Sequence, residues 1–175
     1  DPIKILIVDD AEEQRIALKT ILEDSGYEIY FAENAEKALI LYSSTPFPLV
    51  ISDIQMPDLS GIDLLQRIKR LNEDVIFIIL TGHSDPQKTM AALQFGAFDY
   101  LVKPVTKAQL ILSIQNGLKK AYHLSTQKTQ HLELQRNMDE ISETLHFQKE
   151  ALEREQERTQ GIIESAHIGF LVLDA

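Results

Sequence analysis

The chain has no cysteine, which excludes disulfide bridges and thiolate metal sites and leaves a reducing compartment open. It also lacks any apolar run long enough to span a bilayer. The longest, Val75 to Leu80, falls far short of a membrane helix. The N-terminal Asp1-Pro2-Ile3-Lys4 has neither the basic nor the apolar block of a signal peptide. A soluble cytoplasmic protein without membrane contact is expected. No basic stripe is present either. Formal net charge is −10 and is spread along the chain, so neither the first 121 residues nor the remainder offers the cationic surface that a phosphate backbone needs. No nucleic-acid partner is expected for this stretch. From Lys107 to about Gln160 there is no proline, and the only glycine is Gly117, so little in that stretch opposes a helix.

What is present suits one ordinary globular domain plus something smaller: 175 residues, 44% hydrophobic and 25% charged. Up to about Leu118, β-rich apolar runs alternate with segments of helical period. The runs are Ile3–Val8, Tyr27–Ala32, Leu49–Ile51, Val75–Leu80 and Phe98–Val102. Between them lie Glu12–Glu23, Ala35–Tyr42, Gly61–Leu71, Gln87–Phe95 and a segment from Lys107 onward. Gly26, Pro46, Pro48, Gly82 and Gly96 punctuate the junctions, and Asn34 and Thr106 are expected N-caps. Strand–helix repeats of this kind predict a doubly wound α/β fold, a parallel sheet with helices on both faces. Ligands of such a sheet bind outside the carboxyl ends of its strands, where the strand order reverses.

Those ends carry a particular set of residues. Strand one ends in Asp9-Asp10, strand three in Asp53, strand four in Thr81 and strand five in Lys103-Pro104. Any one of them could be a cap or a solvated turn, and Asp10, just before a helix, is open to a capping role. Together they bring three carboxylates, a hydroxyl and an ammonium to one sheet edge. Clustered carboxylates need a cation or raised pKa values at neutral pH, and Mg²⁺ takes one or two carboxylates with waters and phosphate oxygens. Phosphoryl transfer asks for an in-line nucleophile and neutralised equatorial oxygens. Asp53 suits the nucleophile, with metal, Lys103 and Thr81 neutralising the transferred group.

The segments Ile5-Leu-Ile-Val-Asp-Asp10, Asp53-Ile-Gln-Met-Pro-Asp-Leu-Ser-Gly61, Leu80-Thr-Gly82 and Tyr100-Leu-Val-Lys-Pro104 strongly resemble the receiver domain of two-component response regulators. The resemblance runs from residue 3 to about 120, and the receiver is expected over 1–121. It implies a flavodoxin-like sheet of five strands in the order 2-1-3-4-5. It also implies phosphorylation of Asp53 by a histidine kinase or phosphotransfer protein. Mg²⁺ would be held by Asp10, Asp53 and the backbone carbonyl of Gln55, with Asp9 acting partly through water. Thr81 and Lys103 would contact the phosphoryl oxygens, and Tyr100 matches the aromatic switch position that tracks Thr81. An ordinary edge-strand tyrosine is the plainer alternative. Gln55 and His83 occupy the two variable positions that tune acyl-phosphate lifetime, although His83 could equally be an exposed loop histidine. Pro57 and Gly61 shape the turn after Asp53. The bond before Pro104 is cis in receivers, against a trans base rate.

Two rival chemistries share this sheet. A haloacid-dehalogenase-type phosphatase would use Asp9 as nucleophile, but it needs a second aspartate where Ala11 stands. Adjacent Asp9 and Asp10 also cannot project the same way from an extended strand. A flavodoxin-like FMN module needs a Ser-, Thr- or Gly-rich phosphate loop, and Asp9-Asp-Ala-Glu-Glu13 would repel phosphate without a metal.

After Leu118 an approximate heptad runs through Leu124, Gln127, His131, Leu134, Met138, Ile141, Leu145, Gln148, Leu152, Glu155, Thr159 and Ile162. A helix of this extent would be roughly 80 Å long at about 1.5 Å per residue. It predicts a coiled-coil linker over 122–160, continuous with the fifth helix and forming a homodimer. The alternatives are a solvated single helix or a break near Tyr122 to Gln127. His123, His131, His146 and His167 lack the sequence setting of a kinase's phosphorylated histidine and are expected on the helix surface or seam. From residue 161 to 175, Gly161-Ile-Ile-Glu-Ser and Gly169-Phe-Leu-Val-Leu-Asp174 resemble the start of a PAS sensor domain, with Phe170–Leu173 as its opening strand; a short amphipathic tail is the plainer alternative. The part is then either a free-standing receiver whose helical tail only dimerises or the input end of a larger sensor kinase or second-messenger enzyme.

Overall fold

Ile5, Leu6, Ile7 and Val8 are completely buried, because the strand they form lies inside a sheet covered on both faces. Residues 2–82 and 86–173 are described in the computed structural model, 164–173 as backbone only. The strands are β1 (Lys4–Val8), β2 (Glu28–Ala32), β3 (Leu49–Asp53), β4 (Ile76–Thr81) and β5 (Asp99–Val102). They form one parallel sheet in the order β2-β1-β3-β4-β5, as expected from the sequence. The helices are α1 (Glu12–Leu22), α2 (Ala35–Ser44), α3 (Gly61–Leu71), α4 (Pro86–Gln94) and α5 (Lys107–Leu173).

The period-2 alternation of the strands divides the core in two. Leu6, Val8, Val50, Phe77 and Ile79 meet Ala38 of α2, Leu64, Leu65 and Ile68 of α3 and Ala92 of α4. On the other face Ile5, Ile7, Leu49, Ile51, Ile78 and Leu80 meet Leu18 and Leu22 of α1 and Leu110 and Ile114 of α5. Each fully buried Leu, Ile or Phe contributes about 1.5–3 kcal/mol relative to exposure, and these layers fix the sheet from which the polar strand ends project. The edge strands β2 and β5 are only partly buried, as their less continuous apolar patterns imply.

Local signals set the helix starts. Asn34 accepts a hydrogen bond from the Lys37 amide at 2.8 Å, and Thr106 accepts from the Gln109 amide at 3.3 Å, so both expected caps form. Helix α3 begins with a reciprocal box: Ser60 accepts from the Asp63 amide, and the Asp63 carboxylate accepts from the Ser60 amide.

Helix α5 passes Tyr122–Gln127 without a break. The strand expected over Phe170–Leu173 does not form, because the helix backbone runs through Leu173. A helix satisfies its own amides and carbonyls, whereas a strand needs a neighbour to pair with, and the described residues offer none there. The chain divides into two compact units, Asp1–Ser125 and Thr126–Ala175. Along the second, Leu134, Met138, Ile141, Leu145 and Leu152 are all more than half exposed. His123, His131 and His146 are exposed on α5, and of His167 only the backbone is described. Among the described residues no helix is long and apolar enough to cross a membrane.

Candidate functional site

The strand order reverses at β1, which is paired with β2 on one side and β3 on the other, and the acidic residues follow β1 directly. Strand β1 stops at Val8. Beyond it the backbone leaves the extended path, so Asp9 and Asp10 both bring a carboxylate oxygen to Asp53, all three within 4.8 Å of one another. The expectation that neighbouring Asp9 and Asp10 must point apart is therefore corrected: alternation holds only while the strand lasts. Asp10 is not the cap of α1 either. That position is Ala11, which makes no side-chain capping bond.

Asp9 is 1% exposed, and both of its carboxylate oxygens are engaged. Oδ1 accepts from the Ala11 amide at 3.0 Å, and Oδ2 accepts from the Lys103 ammonium at 2.7 Å. Asp53 ends β3, with Oδ1 accepting from the Ile54 amide at 2.8 Å and Oδ2 3.2 Å from the same ammonium. Burial pushes the Asp53 carboxyl above the usual carboxylate range, Lys103 opposes this, and the Asp9 charge adds to it. One ammonium thus serves two of three crowded carboxylates. The excess of hard anionic oxygens fits a small divalent cation such as Mg²⁺, and Asp9, Asp10 and Asp53 are the side chains able to hold it.

Of the remaining predicted residues, Thr81 and Gln55 adjoin this centre. Thr81 ends β4, is 2% exposed and pairs in register with Val102. Its carbonyl accepts from the Lys103 amide at 2.7 Å, which ties the lysine's strand to the threonine's. The Lys103–Pro104 peptide is cis. Tyr100 lies opposite Ile79 on β5 and is half-buried against the core beneath α2, α3 and α4. Gln55 is exposed and shares a cavity of about 540 Å³ with Asp10, Ile54, Met56, Pro57 and Lys88. His83 lies outside the described residues.

Gly61 is required by close approach: a Cβ there would strike the Asp53 carbonyl oxygen, while its amide donates to Ile54 O at 3.0 Å. The turn between them carries Asp58 at φ 67°, a left-handed position that aspartate tolerates. One residue escaped the sequence reading. Arg15 Nη1 donates to the carbonyl oxygens of Asp9 at 2.7 Å and Asp10 at 3.0 Å. Its signal, a lone basic residue one turn into an acidic helix start, looks like ordinary helix surface.

Fold and site together define a doubly wound sheet with an acidic, lysine-bridged pocket at its carboxyl edge. The chain belongs to the response regulator receiver domain family, whose model matches residues 5–115. It is 37% identical over 123 residues to the probable transcriptional regulator ycf27 of Porphyra purpurea, covering 70% of this chain and 50% of that protein. It is 32% identical over 117 residues to the transcriptional regulatory protein FixJ of Bradyrhizobium diazoefficiens, covering 67% of this chain and 57% of the relative. The chain thus spans about half the length of these curated relatives. Among solved structures, a response regulator receiver domain protein from Clostridium thermocellum matches with TM-score 0.67 and 36% identity, over 70% of this chain and 98% of that one. The signal receiver domain of an HD domain-containing protein from Pseudomonas fluorescens Pf-5 matches with TM-score 0.68 and 31% identity, over 70% and 99%. The family's role is phosphorylation-based two-component signalling.

Proposed function

We propose that Asp53 is the phosphoryl acceptor of this receiver and that a histidine kinase or phosphotransfer protein is the donor. The observation that carries this is the Lys103 ammonium lying 2.7 Å from Asp9 and 3.2 Å from Asp53 in a pocket with a third carboxylate. An Asp53 carboxylate oxygen attacks phosphorus, the P–N bond of the donor phosphohistidine breaks, and its electron pair leaves with the imidazole, giving an acyl phosphate. Asp9, Asp10, Asp53 and the Gln55 carbonyl would hold Mg²⁺, Asp9 partly through water; when bound it neutralises charge on the phosphoryl oxygens. Lys103 and the Thr81 hydroxyl neutralise the remaining oxygens. Gln55 and His83 tune how fast water reaches the product.

Thr81 then moves toward the new oxygens and Tyr100 rotates inward, altering the face made by α4, β5 and α5. The phosphoryl group shifts this equilibrium only by its differential affinity for the two arrangements. The exposed apolar row Leu134, Met138, Ile141, Leu145 and Leu152 supports a homodimeric coiled coil that carries the change toward an output module beginning in 161–175. The protein works in the cytoplasm, and its acidic surface gives these residues no part in nucleic-acid binding.

Incubation with Mg²⁺ and acetyl phosphate tests the chemistry. One acid-stable, base-labile phosphoryl group is expected, lost in Asp53→Asn and suppressed by Asp10→Ala or by chelation. Undiminished labelling of Asp53→Asn would sink the assignment.

A further inference from the structure

Helix α1 starts without a side-chain cap, since Ala11 has no oxygen to offer. The acidic turn preceding it is held from another direction. Arg15, one turn into α1, reaches back so that a single nitrogen, Nη1, donates to the carbonyls of both Asp9 and Asp10, at 2.7 and 3.0 Å. The Asp9 amide donates to Ala32 O at 3.2 Å, and its Oδ1 accepts from the Ala11 amide. The turn is therefore held from Ala11, from Ala32 and from Arg15.

The two cations beside the acidic cluster divide their work. Lys103 binds carboxylates and competes with any metal for them. Arg15 binds carbonyls and leaves the carboxylate oxygens to an incoming cation. Glu33, paired with Lys37 at 2.6 Å, has its carboxyl held below the usual range by that lysine and, to a smaller extent, by Arg15. Arg15, Glu33 and Lys37 line one cavity with Phe31, Ala32 and Ile40.

We propose that Arg15 is a positioning residue for the metal site, clamping the Asp9–Asp10 turn so that both carboxylates converge with Asp53. This rests on the reading of that cluster as a Mg²⁺ site. The proposal has a sign that simple electrostatics does not share. A cation near a Mg²⁺ site repels the metal, so removing it should tighten binding if Coulomb interaction were its only effect. Removing a clamp loosens binding instead, and partners that orient ligands are typically worth about 10–100-fold in metal affinity.

The test is a Mg²⁺ titration of the full chain by calorimetry, with wild type, Arg15→Met and Arg15→Lys. Arg15→Met keeps the apolar stem and should raise the Mg²⁺ Kd about tenfold. Arg15→Lys, whose ammonium has hydrogens for two carbonyls, should stay within about threefold of wild type. With acetyl phosphate as donor, the half-saturating Mg²⁺ concentration of Arg15→Met should rise by more than its limiting rate falls. An unchanged or tighter Kd in Arg15→Met overturns the proposal, as does a loss that Arg15→Lys shares fully. If Arg15→Met does not fold, the Kd of Arg15→Lys decides alone: near wild type supports the clamp, and a tenfold loss overturns it. A wild-type chain that binds no Mg²⁺ overturns the underlying reading itself, a distinguishable result.

Discussion

Lys103 joins Asp9 to Asp53, yet burial still leaves the Asp53 carboxyl above its ordinary range. The sign of the consequence follows from linkage. A carboxyl whose folded-state pKa is raised stabilises the fold only while protonated, and that contribution is lost as pH rises through the folded value. At neutral pH without metal, the ionised Asp53 is therefore a strain on the fold. Asp53→Asn should raise the metal-free Tm at about pH 7 by a few degrees, and the gap should close below the ordinary carboxylate pKa. Scanning calorimetry at both pH values checks this. Gly61 makes a second residue-scale prediction. Its Cβ would collide with the Asp53 carbonyl oxygen, so Gly61→Ala should cost about 1–3 kcal/mol in urea unfolding and slow phosphorylation by displacing Asp53. The acidic and lysine positions were legible in the sequence because each sits at a strand end that apolar runs define. Arg15 was not, because its partners are backbone carbonyls, which leave no side-chain signature.

At the scale of the element, periodicity located every strand and helix up to residue 118, and errors were confined to ends. The sheet's central runs are apolar on both faces, which leaves little choice of structure. Phe170–Leu173 misled for the opposite reason: a short apolar run does not separate strand from helix, and only a pairing neighbour would decide. The reciprocal box of Ser60 and Asp63 has a sequence signature, Ser-x-x-Asp before an apolar helix, that the neighbouring turn residues Pro57 and Gly61 overshadow. Thr106 caps the helix that leaves the receiver, with its hydroxyl and amide both bonded to Gln109. Thr106→Ala should cost about 1 kcal/mol by denaturant titration, without changing the Mg²⁺ Kd, since the cap touches no carboxylate of the pocket.

For the whole molecule, the central question is whether α5 pairs with a second copy. In the proposed pairing its exposed apolar row beyond Ser125 would form the seam, and the polar Gln127, His131, Gln148 and Glu155 would weaken it and make it easier to shift. Light scattering should give a dimer for the 175 residues. Residues 1–121 alone, or Leu134, Ile141 and Leu145 all replaced by polar residues, should give a monomer. The proposed signalling depends on one covalent event, and its location can be read directly. Acetyl phosphate and Mg²⁺ are added, the acyl phosphate is trapped by borohydride, which reduces a phosphorylated aspartate to homoserine, and the digested chain is mapped by mass spectrometry. Homoserine at position 53, and absence of that change in metal-free controls, is the expected result. Homoserine at position 9 or 10 with residue 53 unmodified would contradict the assignment of Asp53 as acceptor.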